Sequence, residues 1–349
     1  MSLKKGDKDV GVLVNIPPKD ESIVSFSNFD SRGYPQKAII NKYTTFTGTN
    51  KVWDYLLATA SSSLNEYGSY LLKIKEVTIP DEVTEIGNGV FSHLINLEKI
   101  ILPSNLKKLG SQCFNSCTKL NNINLPESLK TLETSVFFGC TNLTSIKLPL
   151  QLFEIKDTTF YNCTNLMLTE LPETIENLGG STFNHCKNIT LTELPKNLKV
   201  LGGSVFQGCS KITIKKIPDG VTNLNSGSYF YECVSITEME MPILLEYLIS
   251  SSMFAYCSKL KKVKFHSIKE KFANFSYQMF YNCTSLVAVL LDEIDFVLPL
   301  ANVNAFANTP IANGTGYVYV KDELVDSYKT ATNWSTYANQ IKGISEYVE

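Results

Sequence analysis

Apolar residues recur along most of this chain with a period far longer than that of a helix or a strand. Ten phenylalanines are 23 residues apart at first and 24 or 26 residues apart later: Phe91, Phe114, Phe137, Phe160, Phe183, Phe206, Phe230, Phe254, Phe280 and Phe306. Eight prolines keep the same spacing: Pro80, Pro103, Pro126, Pro149, Pro172, Pro195, Pro218 and Pro242. A period of this length, with no long helical pattern, is typical of a solenoid whose repeats bury apolar residues against their neighbours.

One repeat illustrates how such a coil is built. In "NLTSIKLP" the apolar residues alternate with polar ones and are predicted to point inward from a short strand: Leu143, Ile146 and Leu148. Lys147 then points outward, and Pro149 ends the pairing because it has no N–H group. Phe160 and Cys163 are three residues apart in "TTFYNCTNL", so they are predicted to share the inner face of a helical turn.

Eight cysteines occupy the same place in successive repeats: Cys117, Cys140, Cys163, Cys186, Cys209, Cys233, Cys257 and Cys283. Cysteine is small and often buried, so we expect one internal column of free thiols. Neighbouring coils about 4.8 Å apart would also allow disulfides, but each coil contributes only one thiol. Cys113 precedes Phe114, where other repeats have valine or alanine, and is expected to be buried too.

The strand Leu-x-x-Ile-x-Leu-Pro, the following Leu-x-x-Leu and the turn Phe-x-x-Cys-x-x-Leu resemble the BspA-like class of leucine-rich repeats over about residues 77–320. The resemblance implies an α/β, β-rich, right-handed leucine-rich-repeat solenoid with atypical capping ends. It implies adhesion or recognition without catalysis, on bacterial surfaces, in some protists or in prophage-encoded proteins. "FSNFDSRGYPQKAII", 26–40, resembles the lead-in of bacterial and prophage members, and 316–346 resembles their terminal segment.

The flanks predict three parts. Residues 1–36 are an N-terminal arm and lead-in, of which 1–25 is polar and expected to be extended or partly disordered. Residues 37–320 form the solenoid, and its first coil, 37–79, keeps apolar residues without the repeat phrase, as a cap would. Residues 321–349 form a helical C-terminal cap after a last strand, with Asn333 as the N-cap of a turn that carries three apolar residues: Trp334, Tyr337 and Ile341.

Composition excludes several classes of function. The chain has 349 residues, a net charge of −2, and 44% hydrophobic residues, so neither nucleic acid nor an anionic membrane is an expected partner. No apolar run is long enough to span a bilayer. The polar start "MSLKKGDKDV" has no secretory leader, which fits either a leaderless protein or one whose leader has been removed.

We find no residues that would carry catalysis, and we predict no enzyme, cofactor or metal site. The histidines, His93, His185 and His266, sit at different places in different repeats, which favours surface residues over ligands. The pairs Gly179-Gly180 and Gly202-Gly203 are weak phosphate-loop candidates, and a turn is the favoured interpretation.

Binding in such solenoids usually uses the concave sheet, so the outward residue two before each proline is the candidate binding position: Asn124, Lys147, Glu170, Glu193, Lys216, Glu240 and Lys264. Facing residues on adjacent strands interact, and most neighbours in this column carry opposite charges. We favour a self-neutralising ladder over a charged-ligand site. The one like-charged neighbour pair is Glu170 and Glu193.

Three successive repeats depart from the pattern three residues before the proline. Thr169, Thr192 and Lys215 stand where other repeats have an inward apolar residue, and the apolar residue has moved one step earlier: Leu168, Leu191 and Ile214. A one-residue slip turns side chains to the other face. Residues 166–171, 189–194 and 212–217 are therefore predicted to be bulged or irregular, with the shifted apolar residues buried.

The sequence predicts a capped, non-enzymatic interaction module, a monomer or weak oligomer, that binds a macromolecule through the concave sheet or the turns. A surface or secreted bacterial protein that recognises a host or cell-envelope protein or glycan is the first interpretation. A virion or prophage tail component is the second. An enzyme is a distant third because no cleft with convergent polar groups is evident.

Overall fold

The computed structural model describes residues 74–348, except Pro80, Glu82, Ser226, Ser250 and 270–272. Before residue 74 it describes only the backbone of four strands: β1 (Ser2–Lys5), β2 (Lys8–Leu13), β3 (Val24–Phe29) and β4 (Pro35–Ile40). The apolar side chains predicted to build the capping coil between 37 and 73 lie outside the described residues.

The chain divides into two compact units. The N-terminal unit comprises Met1–Leu152 and Thr159–Leu166, and the C-terminal unit comprises Phe153–Thr158 and Met167–Glu349. Each unit is built from the predicted repeats, which confirms the leucine-rich-repeat solenoid.

The N-terminal unit has two sets of short strands, because each repeat supplies one strand before its proline and another after it. After β1–β4 the strands are β5 (Glu76–Thr78), β6 (Glu85–Ile86), β7 (Lys99–Ile101), β8 (Lys108–Leu109), β9 (Asn122–Asn124), β10 (Thr131–Leu132) and β11 (Ser145–Lys147). Pairing between repeats is parallel, as in β5 with β7 and β9 with β11. β1 pairs with β2, and β3 with β4, in antiparallel fashion, and β4 joins β5 in parallel. The polar N-terminal arm therefore contains strands that its sequence did not predict.

The C-terminal unit continues the same design. Its strands are β12 (Glu154–Ile155), β13 (Asn177–Leu178), β14 (Val200–Leu201), β15 (Asn223–Leu224), β16 (Glu238–Glu240), β17 (Leu244–Leu245), β18 (Tyr247–Leu248), β19 (Lys262–Lys264), β20 (Ser267–Ile268), β21 (Ala288–Leu291), β22 (Tyr317–Val320) and β23 (Ile341–Gly343). β16, β19, β21, β22 and β23 form one parallel five-stranded sheet.

Each unit has a phenylalanine column at its centre. In the N-terminal unit the rings of Phe91, Phe114, Phe137 and Phe160 stack with centroids 5.4–5.5 Å apart. In the C-terminal unit successive rings from Phe183 to Phe306 are 5.3–5.8 Å apart and nearly parallel. Offset stacking of this kind adds to the energy of burial, so one residue type per repeat suffices to fix the coil spacing.

The cysteines lie beside these rings as predicted. All nine are buried free thiols. Most repeat cysteines donate a hydrogen bond to the phenylalanine carbonyl of the preceding repeat, for example Cys140 Sγ to Phe114 O at 3.1 Å and Cys257 Sγ to Phe230 O at 3.0 Å. Each of these carbonyls also accepts the backbone N–H of the cysteine in its own turn, as Phe114 O does from Cys117 N at 3.1 Å, so the thiol adds a second hydrogen bond that links successive repeats.

The C-terminal cap buries aromatic side chains against the last repeats. The 3-10 turn Asp322–Leu324, helix α1 (Val325–Thr330) and the 3-10 segment Trp334–Gln340 follow β22. Trp334 is fully buried, and its Nε1 donates to Leu298 O at 2.7 Å. Only six residues of this part are α-helical, so the fold is a β-solenoid with little helix.

Two details of the cap differ from the sequence prediction. Asn333 stands at the N-cap position, but its side chain does not cap the turn and instead donates from Nδ2 to Leu300 O at 2.7 Å. The chain then returns as β23, which pairs in parallel with β22, so the sheet extends past residue 320. The short polar-flanked segment "IKG" gave no strand signal of its own.

None of the helices in the described part of the chain has the length and apolar character that a membrane span requires.

Candidate functional site

The seven candidate residues lie two positions before each repeat proline, or before the residue that replaces it, and the side chains that face solvent there are called the strand face below. Asn124, Lys147, Glu240 and Lys264 lie on strands. Glu170, Glu193 and Lys216 lie in segments that form no regular strand. Asn124 and Lys147 lie opposite each other on β9 and β11 of the N-terminal unit, and both are exposed. The other five belong to the C-terminal unit: Glu170, Glu193, Lys216, Glu240 and Lys264. Glu170, Glu193 and Lys216 are exposed, while Glu240 and Lys264 are half-buried.

In the N-terminal unit Lys147 forms an ion pair with Glu127, a residue outside the candidate column. Its Nζ lies 3.1 Å from Glu127 Oε1, and Glu127 Oε2 accepts a hydrogen bond from the Leu150 backbone N–H at 2.8 Å. The backbone hydrogen bond, followed by the bond from Lys147, lowers the pKa of Glu127. Glu127 therefore neutralises Lys147 within the same unit.

In the C-terminal unit the predicted pair Lys216 and Glu240 is present. The two residues form a parallel bridge, with Lys216 Nζ 3.0 Å from Glu240 Oε1 and 3.4 Å from Asp219 Oδ1. The hydrogen bond between them raises the pKa of Lys216 and lowers the pKa of Glu240. Beside it, Lys215 Nζ lies 2.8 Å from Glu238 Oε1.

His266 lies in the middle of this network, contrary to the prediction of a surface histidine. Its side chain is only 11% exposed, with Nδ1 2.9 Å from Glu293 Oε1 and Nε2 3.4 Å from Glu240 Oε1. The repeats usually have proline at this position, and the missing proline was the only sequence signal. Burial opposes ionisation of Glu293, but hydrogen bonds from His266 and Lys264 keep the pKa of that carboxyl below its ordinary value.

Two other neighbours of opposite charge in the column form no direct ion pair. Lys264 is register partner to Glu240, yet its Nζ lies 3.1 Å from Glu293 Oε1 and 3.9 Å from Asp292 Oδ2. Lys216 forms ion pairs with Glu240 and Asp219, and it forms none with Glu193. The expected self-neutralising ladder exists in the later repeats only. The acidic residues that complete it, Glu293 and Asp292, follow β21 and were missed because they lie outside the repeat phrase.

The three phase-shifted repeats are as predicted. No regular strand forms at 166–171, 189–194 or 212–217. The shifted apolar residues Leu168, Leu191 and Ile214 are buried, and the three residues after them, Thr169, Thr192 and Lys215, are exposed. Each of these repeats consequently presents two consecutive side chains to solvent. The one-residue displacement of the apolar residue therefore alters the strand face and leaves the packing of the core unchanged.

The last strands give the strand face an aromatic end. Outward residues of β21 and β22, Ala288, Leu290 and Tyr319, are buried by neighbouring side chains: Tyr317, Ile344 and Tyr347. The rings of Tyr319 and Tyr347 meet edge to face at 4.9 Å. Lys342 Nζ lies 4.3 Å from the centre of the Tyr317 ring, within the range of a cation–π contact. The C-terminal segment thus covers this end of the strand face.

Across the described residues, no group of three histidine, cysteine, aspartate or glutamate side chains is arranged to hold a metal ion.

A family model described as BspA type leucine-rich repeat region matches residues 62–190 and 181–313, which together make up well over half of the chain. No curated protein sequence matches the chain closely enough to indicate an activity.

Several solved structures of bacterial leucine-rich repeat proteins are similar to this chain at low sequence identity. A leucine-rich repeat protein from Bacteroides ovatus is 20% identical, with 92% of this chain and 98% of that chain covered and a TM-score of 0.45. A leucine-rich cell surface protein from Faecalibacterium prausnitzii is 16% identical, with 93% of each chain covered and a TM-score of 0.43. The pneumococcal vaccine antigen PcpA is 18% identical, with 79% of this chain and 80% of that chain covered and a TM-score of 0.45.

Proposed function

Because the chain belongs to the family of BspA-type leucine-rich repeat proteins, we propose that it is a non-enzymatic recognition module that binds a macromolecule through the strand face. It acts at a bacterial cell surface or in secreted form, and its partner is a host or cell-envelope protein or glycan. The strand face carries this proposal, because repeats bring like residues into rows and so line each unit with exposed polar side chains. Small metabolites instead prefer closed pockets.

The distribution of reactive groups supports binding over catalysis. The nine thiols are buried in the core, where burial raises the pKa of Cys140 and Cys257 to about 12 and keeps the thiols protonated. A nucleophile needs an adjacent base and an oxyanion-stabilising group at one point. The charged side chains of the strand face instead pair with one another over several repeats.

The experiment compares charge-reversal variants on a panel of purified extracellular-matrix proteins and a glycan array. One variant carries Glu170→Lys, Glu193→Lys and Glu240→Lys on the strand face. The control changes three carboxylates elsewhere in the C-terminal unit by the same charge: Glu232→Lys, Glu323→Lys and Asp326→Lys. Circular dichroism is expected to show both variants folded, since exposed pairs contribute little stability.

We expect the strand-face variant to lose at least about tenfold in affinity for the bound member of the panel, a change of about 1.4 kcal/mol. The control is expected to bind like the wild type. Unchanged binding in the strand-face variant would move the site to the turns or to the cap around Trp334. Turnover of a small molecule by the wild type would overturn the non-enzymatic assignment.

A virion or prophage tail component is the second candidate, since segment 316–346 resembles the terminal segment of bacterial and prophage members alike. Neighbouring genes separate the two candidates. Phage structural genes beside this one support the tail component, and surface-anchoring genes support the cell-surface protein.

A further inference from the structure

Two adjacent repeats at the start of the C-terminal unit leave part of the strand face unpaired. We define the open window as residues 167–170 and 190–193. In these stretches Thr169-Glu170 and Thr192-Glu193 are consecutive exposed residues, each pair lying between buried apolar ones. The exposed pair replaces the strict alternation of a strand, which cannot present two neighbours to the same side.

The backbone in the open window is short of hydrogen bonds. The Thr190 N–H donates to Leu168 O at 2.9 Å, and the Thr213 N–H donates to Leu191 O at 3.0 Å. Within the described part of the chain, the backbone groups of Thr169, Glu170, Thr192 and Glu193 make no hydrogen bond. The later strands β16, β19 and β21 of the same unit pair in unbroken parallel register. Backbone groups that are unpaired in exposed residues can bond with water or with a partner.

The charge of the open window is also uncompensated. Neither Glu170 nor Glu193 has an ion-pair partner among the described residues. The lysines of the next repeat are committed elsewhere, Lys215 to Glu238 at 2.8 Å and Lys216 to Glu240 at 3.0 Å. The window therefore carries two free carboxylates at the border of a neutralised network.

The spacing of the two carboxylates suits a cationic side chain. Neighbouring coils are about 4.8 Å apart, so one guanidinium or ammonium group can contact both carboxylates. Hydrogen bonds between charged groups are the stronger ones, and guanidinium binds carboxylate with two N–H groups. Around them lie threonine hydroxyls and Met167, which is 63% exposed and offers apolar contact.

We propose that the open window binds an extended polypeptide segment of the partner, with an arginine or lysine side chain placed between Glu170 and Glu193. This assignment rests on the proposed function and specifies its partner. The free carboxylates favour a cationic segment over neutral or acidic glycans. An extended backbone supplies N–H and C=O groups for the unpaired positions, together with side chains on alternate residues.

The test uses a fluorescein-labelled ten-residue peptide of alternating arginine and threonine. A second peptide has citrulline, which is neutral and nearly the same shape, in place of each arginine. The variant Glu170→Gln/Glu193→Gln removes the two free carboxylates. The matched control is Glu232→Gln/Glu323→Gln, which changes the net charge equally at two exposed carboxylates of the same unit. Binding is measured by fluorescence anisotropy, and thermal unfolding verifies that each variant is folded.

We expect the wild type and the control to bind the arginine peptide equally, and Glu170→Gln/Glu193→Gln to bind at least about tenfold more weakly, because the carboxylates that form charged hydrogen bonds with arginine have been removed. The citrulline peptide is expected to bind the wild type about as weakly as the arginine peptide binds Glu170→Gln/Glu193→Gln. Hydrogen exchange should slow at 167–171 and 190–194 when the arginine peptide binds. Equal losses in both double variants, or slowed exchange elsewhere only, would overturn the assignment.

The two proposals fail separately. A wild type that binds a matrix protein or glycan through the strand face, yet does not bind the arginine peptide, overturns the cationic-segment assignment and leaves the recognition function standing. Binding of the arginine peptide at the open window supports the cationic-segment assignment even if the variant Glu170→Lys/Glu193→Lys/Glu240→Lys still binds the matrix protein or glycan with wild-type affinity. If every strand-face variant binds both the panel member and the arginine peptide as tightly as the wild type does, both proposals are overturned.

Discussion

At the scale of single residues, the fold depends on a few positions where neighbouring coils come very close. Gly202 is one of them. A Cβ atom built there would lie 2.7 Å from the Gly179 carbonyl oxygen and closer still to the Gly180 backbone N. Gly179 and Gly202, one from each glycine pair, are therefore close-approach positions of the coil, and the second glycine of each pair lies in a turn, as the favoured interpretation predicted.

Gly202→Ala is expected to destabilise the protein by roughly 2 kcal/mol or more, because the collision is with backbone that cannot move aside. Gly180→Ala is the control, since a Cβ there would lie 3.5 Å from Gly203 O and 3.6 Å from Asp157 Oδ1, in ordinary contact. That control is expected to change the free energy of unfolding by less than about 0.5 kcal/mol. Urea unfolding of both variants measures the difference, and equal effects would contradict the close-approach argument.

The thiols provide a second residue-scale prediction. In the folded protein at pH 8 they are expected to react very slowly with a thiol reagent, because they are buried and because burial raises the pKa of several of them, Cys117 and Cys209 among them. In denaturant without reductant about nine should react, one for each cysteine of the chain. Two or fewer reactive groups in denaturant would mean that the column is cross-linked.

At the scale of elements, the repeats differ in how they satisfy their backbone. Regular repeats such as those of β16 and β19 pair the strand before the proline position with the next repeat. The phase-shifted repeats keep the strand after the proline, as in β13 and β14, and lose the strand before it. The core is unchanged by the loss of this strand, because the inward apolar residues stay buried. The loss falls on the strand face, where a partner can compensate for it.

The C-terminal cap is the element on which the last repeats depend. Trp334 fills the space beside Phe306 and Phe275, with ring centroids at 5.8 and 6.0 Å, and its N–H satisfies Leu298 O. Trp334→Ala is expected to cost about 3–5 kcal/mol in the free energy of unfolding, through the cavity it creates. Trp334→Phe keeps most of the packing and leaves the carbonyl unpaired, so a loss of about 1–3 kcal/mol is expected.

Chemical denaturation of the C-terminal repeats, monitored by tyrosine and tryptophan fluorescence, measures these losses. Val348 is 87% exposed and supplies the control, because Val348→Ala is expected to change the free energy by less than about 0.5 kcal/mol. A Trp334→Ala variant as stable as that control would show that the cap does not seal the core.

At the scale of the whole molecule, stability is expected to depend on pH through the carboxylates of the strand-face network. Glu238, Glu240 and Glu293 have pKa values below the ordinary value of 4.5. A carboxyl whose pKa is lower in the folded state stabilises the fold above its unfolded pKa, and that contribution is lost as the pH falls through the folded pKa. The contribution is thus complete at neutral pH and declines below about pH 4.5.

These side chains are 39–44% exposed, so each pair is worth only a few tenths of a kcal/mol. The measurement compares urea unfolding at pH 7, 5 and 3 for the wild type and for Glu238→Gln/Glu240→Gln/Glu293→Gln. The triple variant is expected to be slightly less stable at pH 7 and to lose less on acidification. Parallel curves for the two proteins would show that the network does not contribute.

The sequence by itself determined the repeat, the inward residues and even the irregular repeats. Each of these follows from the same short phrase copied many times, and a residue such as Leu168 has its burial fixed by neighbours one or two positions away. The phenylalanine and cysteine columns followed for the same reason, since equal positions in equal coils must stack. The strand predicted before the cap was also correct and forms β22, although β23 follows it.

Only the tertiary structure decided which charges meet. Glu240 and Glu293 reach His266 from other repeats. Lys216 and Lys264 each have two carboxylates within 4 Å, so the pairs they form depend on side-chain geometry and burial. The repeated sequence motif does not predict these ion pairs, because it specifies the residue types that point inward and leaves the outward residue types variable. β23 escaped prediction for a related reason: its three residues form a strand only because β22 offers an unpaired edge to complete.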